Sequence, residues 1–327
     1  MTFQGKKCLV TGGSGLIGRA VVDKLVEAGA IVTSVSLDGL TPNPSVEYEL
    51  ADLRNMETAT RVVTGKDFVF HLAGIKGSVE VTKTRPATFF VPYLQFNTNL
   101  LHACQLAETP SVVYTSSIGA YAAADIFVED VGDDGAPMDQ YPGWAKRMAE
   151  LQIKSYREEF GSKAFTILRP CNVYGPGDNF DPANAMVIPS LMHKMLHRDN
   201  ASDILEIWGD GTAIRDYCYS EDAADAILLA AAIQPQTSYI NIGQGNGVSV
   251  QELVATLAEI QPFFYAFNNK SGGYPKRVMN IERAKSLLGW EPKHSLKEGL
   301  EKTWLWYLEH RDEYKQRQNY FVKKEGI

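Results

Sequence analysis

The chain has 327 residues, of which 45% are hydrophobic and 22% are charged, and its formal net charge is −7. This length allows a large hydrophobic core in one or two domains. The acidic balance and the lack of a dense run of Lys and Arg argue against a nucleic-acid-binding surface, so no nucleic-acid partner is expected.

Nothing in the sequence points to secretion or to a membrane. The first apolar run is typical of a buried strand rather than a secretory leader, and no uncharged apolar run reaches the roughly 18 residues of a membrane span. Four cysteines, Cys8, Cys104, Cys171 and Cys218, have neither CxxC nor Cys-His spacing. We therefore expect reduced thiols, a cytoplasmic location and no metal site.

A glycine-rich motif lies near the start of the chain. Residues 7–10 predict a short buried strand, the segment Thr-Gly-Gly-Ser-Gly-Leu-Ile-Gly follows at 11–18, and a helical pattern covers 19–27. Such glycines let the backbone approach a pyrophosphate, which the free N–H groups at a helix start bind. A turn without a ligand is the alternative, but the setting between strand and amphipathic helix favours a dinucleotide site. The predicted cofactor contacts are Gly12, Ser14, Gly15, Leu16, Ile17 and Gly18.

The next elements predict the adenosine half of that site. Asp38 follows a second strand, Ile31–Ser36, at the spacing of about 20 residues typical of the acidic residue that binds the ribose hydroxyls. An ordinary turn aspartate is the alternative. No arginine stands beside Asp38 in the sequence to meet a 2′-phosphate, which favours NAD without excluding NADP. Asp52 and Leu53 end a third strand, where Asp52 is expected to meet the adenine.

A fourth strand is predicted at residues 66–74, and it runs into a loop of small residues. This loop places Leu72, Ala73 and Gly74 beside the cofactor. His71 lies in the apolar part of the strand, so we expect a hydrogen-bonded core histidine rather than a catalyst.

Strands and helices continue to alternate, with a helix at 89–108, a strand at 111–117, a helix at 142–160 and a strand at 165–170. This alternation predicts an α/β fold, a Rossmann-type doubly wound parallel sheet. After residue 170, Gly and Pro interrupt the pattern, and helices are expected at 190–196, 251–260 and 303–313. The sequence thus predicts a dinucleotide-binding domain at 1–170, with 213–243 returning to it. A smaller α/β substrate-binding lobe takes 171–212 and 244–327.

Three further stretches carry a family resemblance. They are Tyr-Thr-Ser-Ser-Ile-Gly-Ala-Tyr at 114–121, Arg-Pro-Cys-Asn-Val-Tyr-Gly-Pro at 169–176, and Trp-Gly-Asp-Gly with Arg-Asp-Tyr within 208–217. Together with the glycine motif they resemble the extended short-chain dehydrogenase/reductases of the NAD-dependent epimerase/dehydratase family, which act on nucleotide sugars. The resemblance implies a homodimer that pairs the helices at 89–108 and 142–160. It also implies cofactor contacts at Lys146, Pro170, Asn172 and Val173.

Within that family, residues 174–180 and 187–191 most resemble the GDP-fucose synthases, which reduce a 4-keto GDP-sugar. This resemblance implies that Asn172, Val187 and Arg215 meet the nucleotide diphosphate of the substrate. An arginine fork suits a diphosphate.

For Arg215 the sequence leaves a second interpretation open. An ion pair between the lobes, with Asp216 or Glu221, is the alternative to a substrate contact, since surface ion pairs are common. The two interpretations place the guanidinium in different surroundings.

The catalytic set of the family is a Ser or Thr, a Tyr, and a Lys four residues after the Tyr. Residues four apart share a helix face, so the ammonium lies beside the phenol and lowers its pKa. The phenol then moves a proton while hydride passes between sugar and nicotinamide. Ser117 and Lys146 match this set, and Ser116 is the alternative serine and a substrate contact.

The tyrosine of the set is displaced by one position. Pro142 stands four residues before Lys146, and Tyr141 stands five before it. Because the residue before a proline avoids the α region, we expect Tyr141 just outside the helix, from where its ring reaches the site as the acid/base. A packing aromatic is the alternative.

Two other departures narrow the chemistry. Ile118-Gly119 follows Ser117 where sugar dehydratases of the family carry Asp-Glu, and Met186 stands where the GDP-fucose synthases carry a presumed acid histidine. A thioether transfers no proton. What remains is an NAD(P)-dependent oxidoreductase or epimerase acting at C4 of a nucleotide-diphosphate sugar, with GDP favoured. The alternative is a catalytically impaired nucleotide-binding protein with a sensing or assembly role.

Overall fold

The structure, a computed structural model, describes residues 3–75, 79–131, 133–270 and 273–317, without the side chains of 79–81. The described strands are β1 (Lys7–Thr11), β2 (Ile31–Ser36), β3 (Glu47–Leu50), β4 (Phe68–His71), β5 (Ser111–Thr115), β6 (Ile126–Phe127), β7 (Phe165–Pro170), β8 (Asn172–Tyr174), β9 (Ile204–Ile207), β10 (Ile214–Arg215), β11 (Tyr217–Tyr219), β12 (Ile240–Ile242), β13 (Val248–Ser249), β14 (Phe264–Phe267) and β15 (Lys276–Met279). The described helices are α1 (Leu16–Glu27), α2 (Met56–Val63), α3 (Val79–Thr84), α4 (Pro86–Leu106), α5 (Gln140–Phe160), α6 (Val187–Leu196), α7 (Ser220–Ile233), α8 (Val250–Ile260), α9 (Glu282–Leu288) and α10 (Leu296–Glu309). Short 3-10 turns lie at Ile118–Ala120 and Glu313–Gln316.

A parallel sheet of seven strands forms the centre of the described chain, in the order β12-β7-β5-β4-β1-β2-β3. Its central strands are buried throughout and largely apolar, as expected of strands covered on both faces. In register, Cys8 of β1 pairs with Val32 on one side and Phe68 on the other. The predicted α/β fold with a doubly wound parallel sheet is confirmed.

The strand order reverses between β1 and β4, and this reversal positions the site. The chain proceeds from β1 to β2 and β3 in one direction, and from β4 to β5 and β7 in the other. Right-handed crossovers therefore place two layers of helices on opposite faces. In the first layer α1 packs on α7, and in the second α4 packs between α2 and α5. Ligands of such sheets bind at this reversal, beyond the carboxyl ends of the strands.

A second cluster of buried apolar side chains lies outside the main sheet. It combines α6, α8 and α10 with residues of β8, β9 and β11, and includes Met192, Leu253 and Tyr307. A separate mixed sheet has the strand order β13-β10-β15-β6. Later in the chain, β12 pairs with β7 and thus belongs to the main sheet. No helix of the described chain is both long and apolar enough to cross a membrane.

Several element limits differ from the predicted ones. The last long helix was expected at 303–313 but is α10, Leu296–Glu309, because Ser295 caps it in a box with Glu298. Likewise α6 begins at Val187 rather than residue 190. The helix expected at 142–160 begins at Gln140, which moves Tyr141 into its first turn.

Candidate active site

A cleft of about 1090 Å³ opens beyond the carboxyl ends of β1, β4 and β5. Its other side is lined by residues of the lobe that contains the second apolar cluster. Every residue named above as a catalytic, cofactor-binding or substrate-binding candidate lines this cleft. The residues come from distant parts of the chain. The parallel sheet brings together those that follow its strands, because the strands all end at one edge, whereas Lys146, Val187 and Arg215 reach the cleft from α5, α6 and β10.

The glycine-rich loop is packed too tightly to accept side chains. Gly12 has φ +73°, and a Cβ there would lie 2.9 Å from the Cα of Ala73 in the loop after β4. A Cβ on Gly18 would lie 2.1 Å from the carbonyl oxygen of Gly12. Helix α1 begins at Leu16 after Gly15, with no side-chain cap and no acidic residue in its first turn. Its free N–H groups and positive dipole end therefore fit the diphosphate of a dinucleotide.

The adenosine side differs in one respect from the sequence expectation. Asp52 lines the cleft, but its carboxylate forms an ion pair with Arg54. Both Nε and Nη2 of Arg54 donate to Asp52 Oδ2, at 2.9 Å and 2.6 Å. Burial raises the pKa of Asp52, yet the hydrogen bonds from Arg54 outweigh burial and hold that pKa below its usual value. Asp52 therefore meets any ligand as a carboxylate already paired with a cation.

An arginine that the neighbouring sequence did not indicate interacts electrostatically with Asp38. This residue, Arg317, lines the same cleft. At the strand tip, the Ser14 hydroxyl donates to the Ser36 hydroxyl at 2.9 Å. The sequence contains no signal for this arginine, since it lies 303 residues after Ser14.

The loop after β4 is anchored by a buried chain of hydrogen bonds. The Ala73 N–H donates to Thr11 Oγ1 at 3.1 Å, and Thr11 Oγ1 lies 2.9 Å from His71 Nδ1. His71 Nε2 lies 2.9 Å from Asn97 Oδ1, and Asn97 Nδ2 donates to the Tyr114 hydroxyl. Burial and then the nearby Lys146 charge lower the pKa of His71 to about 3. His71 is thus a neutral core histidine, as expected.

Lys146 is buried at the base of the cleft. Its Nζ donates to the Thr115 carbonyl at 2.6 Å and lies 5.1 and 5.2 Å from the ring centroids of Tyr114 and Tyr93. Burial lowers the pKa of Lys146 to about 7, although the charge of Glu150 opposes this shift. The ammonium is therefore close to its titration point near neutral pH.

The two candidate serines have different hydrogen-bond roles. Ser117 Oγ accepts from the Gly119 N–H at 3.0 Å, and within the described chain its O–H proton has no acceptor. Ser116 Oγ instead donates to the carboxylate of Glu150, which also pairs with Arg169 at 2.5 Å. Only Ser117 of this pair keeps a donor available for a ligand oxygen.

Tyr141 lies in the first turn of α5 rather than outside the helix as expected. The first intrahelical donor is the Gly143 N–H, which bonds the Asp139 carbonyl at 2.5 Å, so Pro142 occupies a position where no N–H is needed. The helix therefore includes Tyr141 without losing a hydrogen bond. The ring of Tyr141 packs edge-on against Phe90 at 5.9 Å and lines the cleft.

Arg215 has an arginine neighbour that the sequence did not reveal. Strands β10 and β15 pair in parallel, which places Arg215 beside Arg277. Arg277 pairs with Asp139 at 3.0 Å, whereas Arg215 has no carboxylate partner among the described residues. The alternative interpretation, an ion pair with Asp216 or Glu221, is not formed among the described residues, where Asp216 accepts three backbone N–H groups and Glu221 lies 3.8 Å from Lys302 Nζ. Burial and then Arg277 lower the pKa of Arg215.

The remaining candidates lie where β7, β8 and α6 border the cleft. Pro170 ends β7, and Asn172 and Val173 lie in β8, where Asn172 Nδ2 donates to the Asp216 carbonyl at 3.0 Å. Val187 begins α6 and is 37% exposed. This border joins the dinucleotide side of the cleft to the paired arginines.

A profile of the NAD dependent epimerase/dehydratase family matches residues 8–243, which is most of the chain. The chain belongs to this family. NAD is accordingly the dinucleotide that the glycine-rich loop and the N-terminus of α1 fit.

Relatives in the family are similar over nearly their whole length. GDP-L-fucose synthase 1 of Arabidopsis thaliana is 29% identical over 323 residues, which cover 94% of this chain and 95% of that enzyme. The structure of UDP-glucose 4-epimerase from Thermotoga maritima with UDP-glucose is 30% identical, with a TM-score of 0.80, over 93% of this chain and 99% of that one. UDP-glucose 4-epimerase of Thermus thermophilus, in complex with NAD, is 25% identical, with a TM-score of 0.77, over 92% and 99%.

Proposed function

We propose that this family member oxidises or reduces C4 of a nucleotide-diphosphate sugar, as an oxidoreductase or an epimerase. One observation carries the proposal. The dinucleotide-binding loop, the Ser117–Lys146 pair and the adjacent Arg215 and Arg277 all line a single cleft. A bound dinucleotide alone does not account for Arg215 and Arg277, two further cations in the same cleft.

In the proposed reaction, each side chain acts on the sugar's C4 oxygen. The Ser117 O–H donates to that oxygen, and Tyr141 takes the C4 hydroxyl proton during oxidation and returns it during reduction. Lys146 in its charged form polarises the C4 oxygen together with Ser117. When bound, NAD supplies the hydride acceptor and donor.

We assign the substrate's diphosphate to Arg215 and Arg277. Two cations, one of them without a carboxylate partner in the described chain, match the charge of a diphosphate better than a neutral sugar. Asn172 and Val187 border the same part of the cleft. We favour GDP as the nucleotide because of the similarity to a GDP-L-fucose synthase. The UDP-glucose found with the Thermotoga relative makes UDP the alternative to test.

A cytoplasmic location is part of the proposal. All four cysteines are buried and free. Unpaired thiols of this kind are typical of proteins in reducing compartments.

Turnover of nucleotide sugars tests the proposed function. The purified protein is incubated with NAD and a panel of GDP-, UDP- and dTDP-hexoses, and with NADH and their 4-keto forms. We expect a change in the absorbance of reduced nicotinamide, or a C4 epimer detected by chromatography, with GDP-sugars turned over best. The absence of turnover with every sugar, while NAD and a nucleotide sugar still bind, would favour the catalytically impaired alternative.

The role of Tyr141 is tested by Tyr141→Phe. Loss of a general acid/base lowers kcat by about 10²- to 10⁴-fold, and NAD affinity should stay at the wild-type value. Tyr156→Phe is the matched control, because Tyr156 lies on the same helix with its hydroxyl 3.1 Å from His102 and does not line the cleft. Wild-type kcat in Tyr141→Phe would show that another group moves the proton.

A further inference from the structure

The 3-10 turn Glu313–Gln316 lies against the glycine-rich loop. Glu313 Oε1 accepts from Arg19 Nη2 at 2.5 Å and from Arg317 Nη2 at 3.2 Å. Arg19 is fixed in turn, because its Nε donates to the Ser14 carbonyl at 2.9 Å. This cluster, Arg19, Glu313 and Arg317, connects the end of the described chain to the loop that follows β1.

Within the cluster, Arg317 has more donors than acceptors. Its Nη2 donates to the carbonyls of Gly177 at 2.7 Å and Ser14 at 3.4 Å. Its side chain is only 15% exposed, and its buried Nε has no hydrogen-bond partner among the described residues. A buried donor without an acceptor is costly, and an anion bound beside it would remove that cost.

The charge of the cluster indicates which ligand. In the described chain, Glu313 is the one carboxylate within ion-pair distance of Arg19 and Arg317, so two guanidinium groups share one negative charge. Burial lowers the pKa of Arg317, and the charge of Arg19 lowers it further. A buried excess cation in a cleft is stabilised by an anion.

We propose that Arg317 binds the dinucleotide's diphosphate against the glycine-rich loop, with Glu313 as its positioning residue. The proposal depends on the NAD site described above. The diphosphate is preferred to a 2′-phosphate because the Asp38 carboxylate, expected at the ribose, repels a second anion there. Arg317 thus adds a side-chain contact to a phosphate site otherwise made of backbone N–H groups.

The test compares NADH affinities of full-length variants, measured through the fluorescence of bound NADH. Loss of a charge-assisted hydrogen bond in Arg317→Gln should raise the Kd by about 10- to 100-fold. Arg317→Lys keeps the charge without the fork and should fall between that variant and the wild type. Lys315→Gln is the matched control, because Lys315 belongs to the same turn, is 62% exposed and pairs with Asp312. Its Kd should equal that of the wild type.

Comparison of the Kd values for NADH and NADPH shows whether Arg317 contacts the diphosphate or the 2′-phosphate. An equal rise of both Kd values in Arg317→Gln supports the diphosphate, whereas a rise confined to NADPH overturns that assignment. Wild-type affinity in Arg317→Gln overturns the inference and leaves the proposed function intact. Failure of the wild type itself to bind NADH contradicts the proposed function instead.

Glu313→Gln is the second variant, in case Arg317→Gln disturbs the turn. Thermal unfolding of every variant shows whether the fold is kept. Glu313→Gln keeps Arg317 but loosens it, so its Kd should rise by less than that of Arg317→Gln. A greater rise of the Kd in Glu313→Gln than in Arg317→Gln would contradict the role of Glu313 as a residue that acts through Arg317.

Discussion

Two buried basic side chains, Lys146 in the lining of the cleft and His71 in the core, differ in how far their pKa values are lowered. The charge of Lys146 lowers the pKa of His71, which burial has already lowered, to about 3. Lys146 itself has a pKa of about 7. His71 is therefore neutral where Lys146 titrates. This arrangement keeps one titratable cation near neutral pH at the base of the cleft.

His71 should make the fold sensitive to acid. The unfolded state binds a proton below about pH 6.5 and the folded state only below about 3, so the stability due to neutral His71 is complete above pH 6.5 and falls as the pH drops towards 3. Each pH unit in that window costs about 1.4 kcal/mol. Urea unfolding measures this effect. Between pH 6.5 and 4.5, the free energy of unfolding of His71→Gln should decrease by about 2–3 kcal/mol less than that of the wild type.

The control for that experiment is His310→Gln, which changes an exposed histidine at the end of α10. It should lose the same free energy of unfolding as the wild type over this pH interval. An unchanged loss in His71→Gln would mean that buried carboxylates, and not His71, determine the acid sensitivity.

Single residues of the cleft differ in how well the sequence predicts them. The glycines and Asp38 follow from local spacing, because the glycines lie within the unit β1-α1-β2 and Asp38 follows its last strand. Arg277 and Arg317 were missed, because pairing of β15 with β10 and docking of the Glu313–Gln316 turn bring them to the cleft from distant sequence. Tyr141 was placed wrongly for a different reason. The preference of residues before proline for extended backbone was overridden by a helix start that needs no N–H at Pro142.

At the scale of elements, the crossover from β1 to α1 depends on one close backbone contact. A Cβ on Gly18 would meet the Gly12 carbonyl oxygen at 2.1 Å and the Gly13 Cα at 2.7 Å. Both are backbone atoms, so the clash is relieved only if α1 moves away from the loop. Such a movement would withdraw the N–H groups of α1 from the phosphate position.

Gly18→Ala should therefore weaken NADH binding by more than about tenfold, which corresponds to roughly 1.4 kcal/mol. Overpacking of this kind also lowers the free energy of unfolding by about 1–3 kcal/mol. Gly39→Ala is the matched control, because Gly39 is exposed and a Cβ there meets nothing within 4 Å. NADH titration and urea unfolding of both variants check the prediction. Wild-type affinity in Gly18→Ala would mean that α1 can shift without loss of the phosphate site.

The elements of the main sheet were predictable, whereas those of the smaller lobe were less so. Strands such as β1 and β4 are largely apolar runs, and each is followed by a helix, which is a strong pattern. Strands such as β10 and β13 have only two residues. Two residues have no periodicity, so tertiary pairing alone defines them. The predicted domain limits remain a prediction.

At the scale of the whole molecule, the cleft lies where two apolar clusters meet. The larger cluster holds the main sheet and its helices, and the smaller one holds α6, α8 and α10. Residues from both sides line the cleft. The shape of the cleft therefore depends on the packing of both clusters.

The outer surface of α4 and α5 supports the expected homodimer. These helices pack together, and α5 exposes Trp144, Met148 and Leu151 at helical spacing, with 39%, 47% and 52% of each residue accessible. On α4, Val91 is 47% exposed. Apolar side chains that form one stripe at this spacing are typical of a surface covered by a partner helix. The described chain covers this stripe with nothing of its own, so a second copy is the partner we predict.

Light scattering after size exclusion should give twice the 36.2 kDa of one chain. The double variant Met148→Glu and Leu151→Glu places two charges in the stripe, and charges buried without partners are costly, so it should run as a monomer. Leu305→Glu is the control, because Leu305 is 61% exposed on α10, away from α4 and α5. It should stay dimeric. Dissociation by Leu305→Glu alone would place the interface on α10, and a monomeric wild type at micromolar concentration would show that the stripe faces solvent.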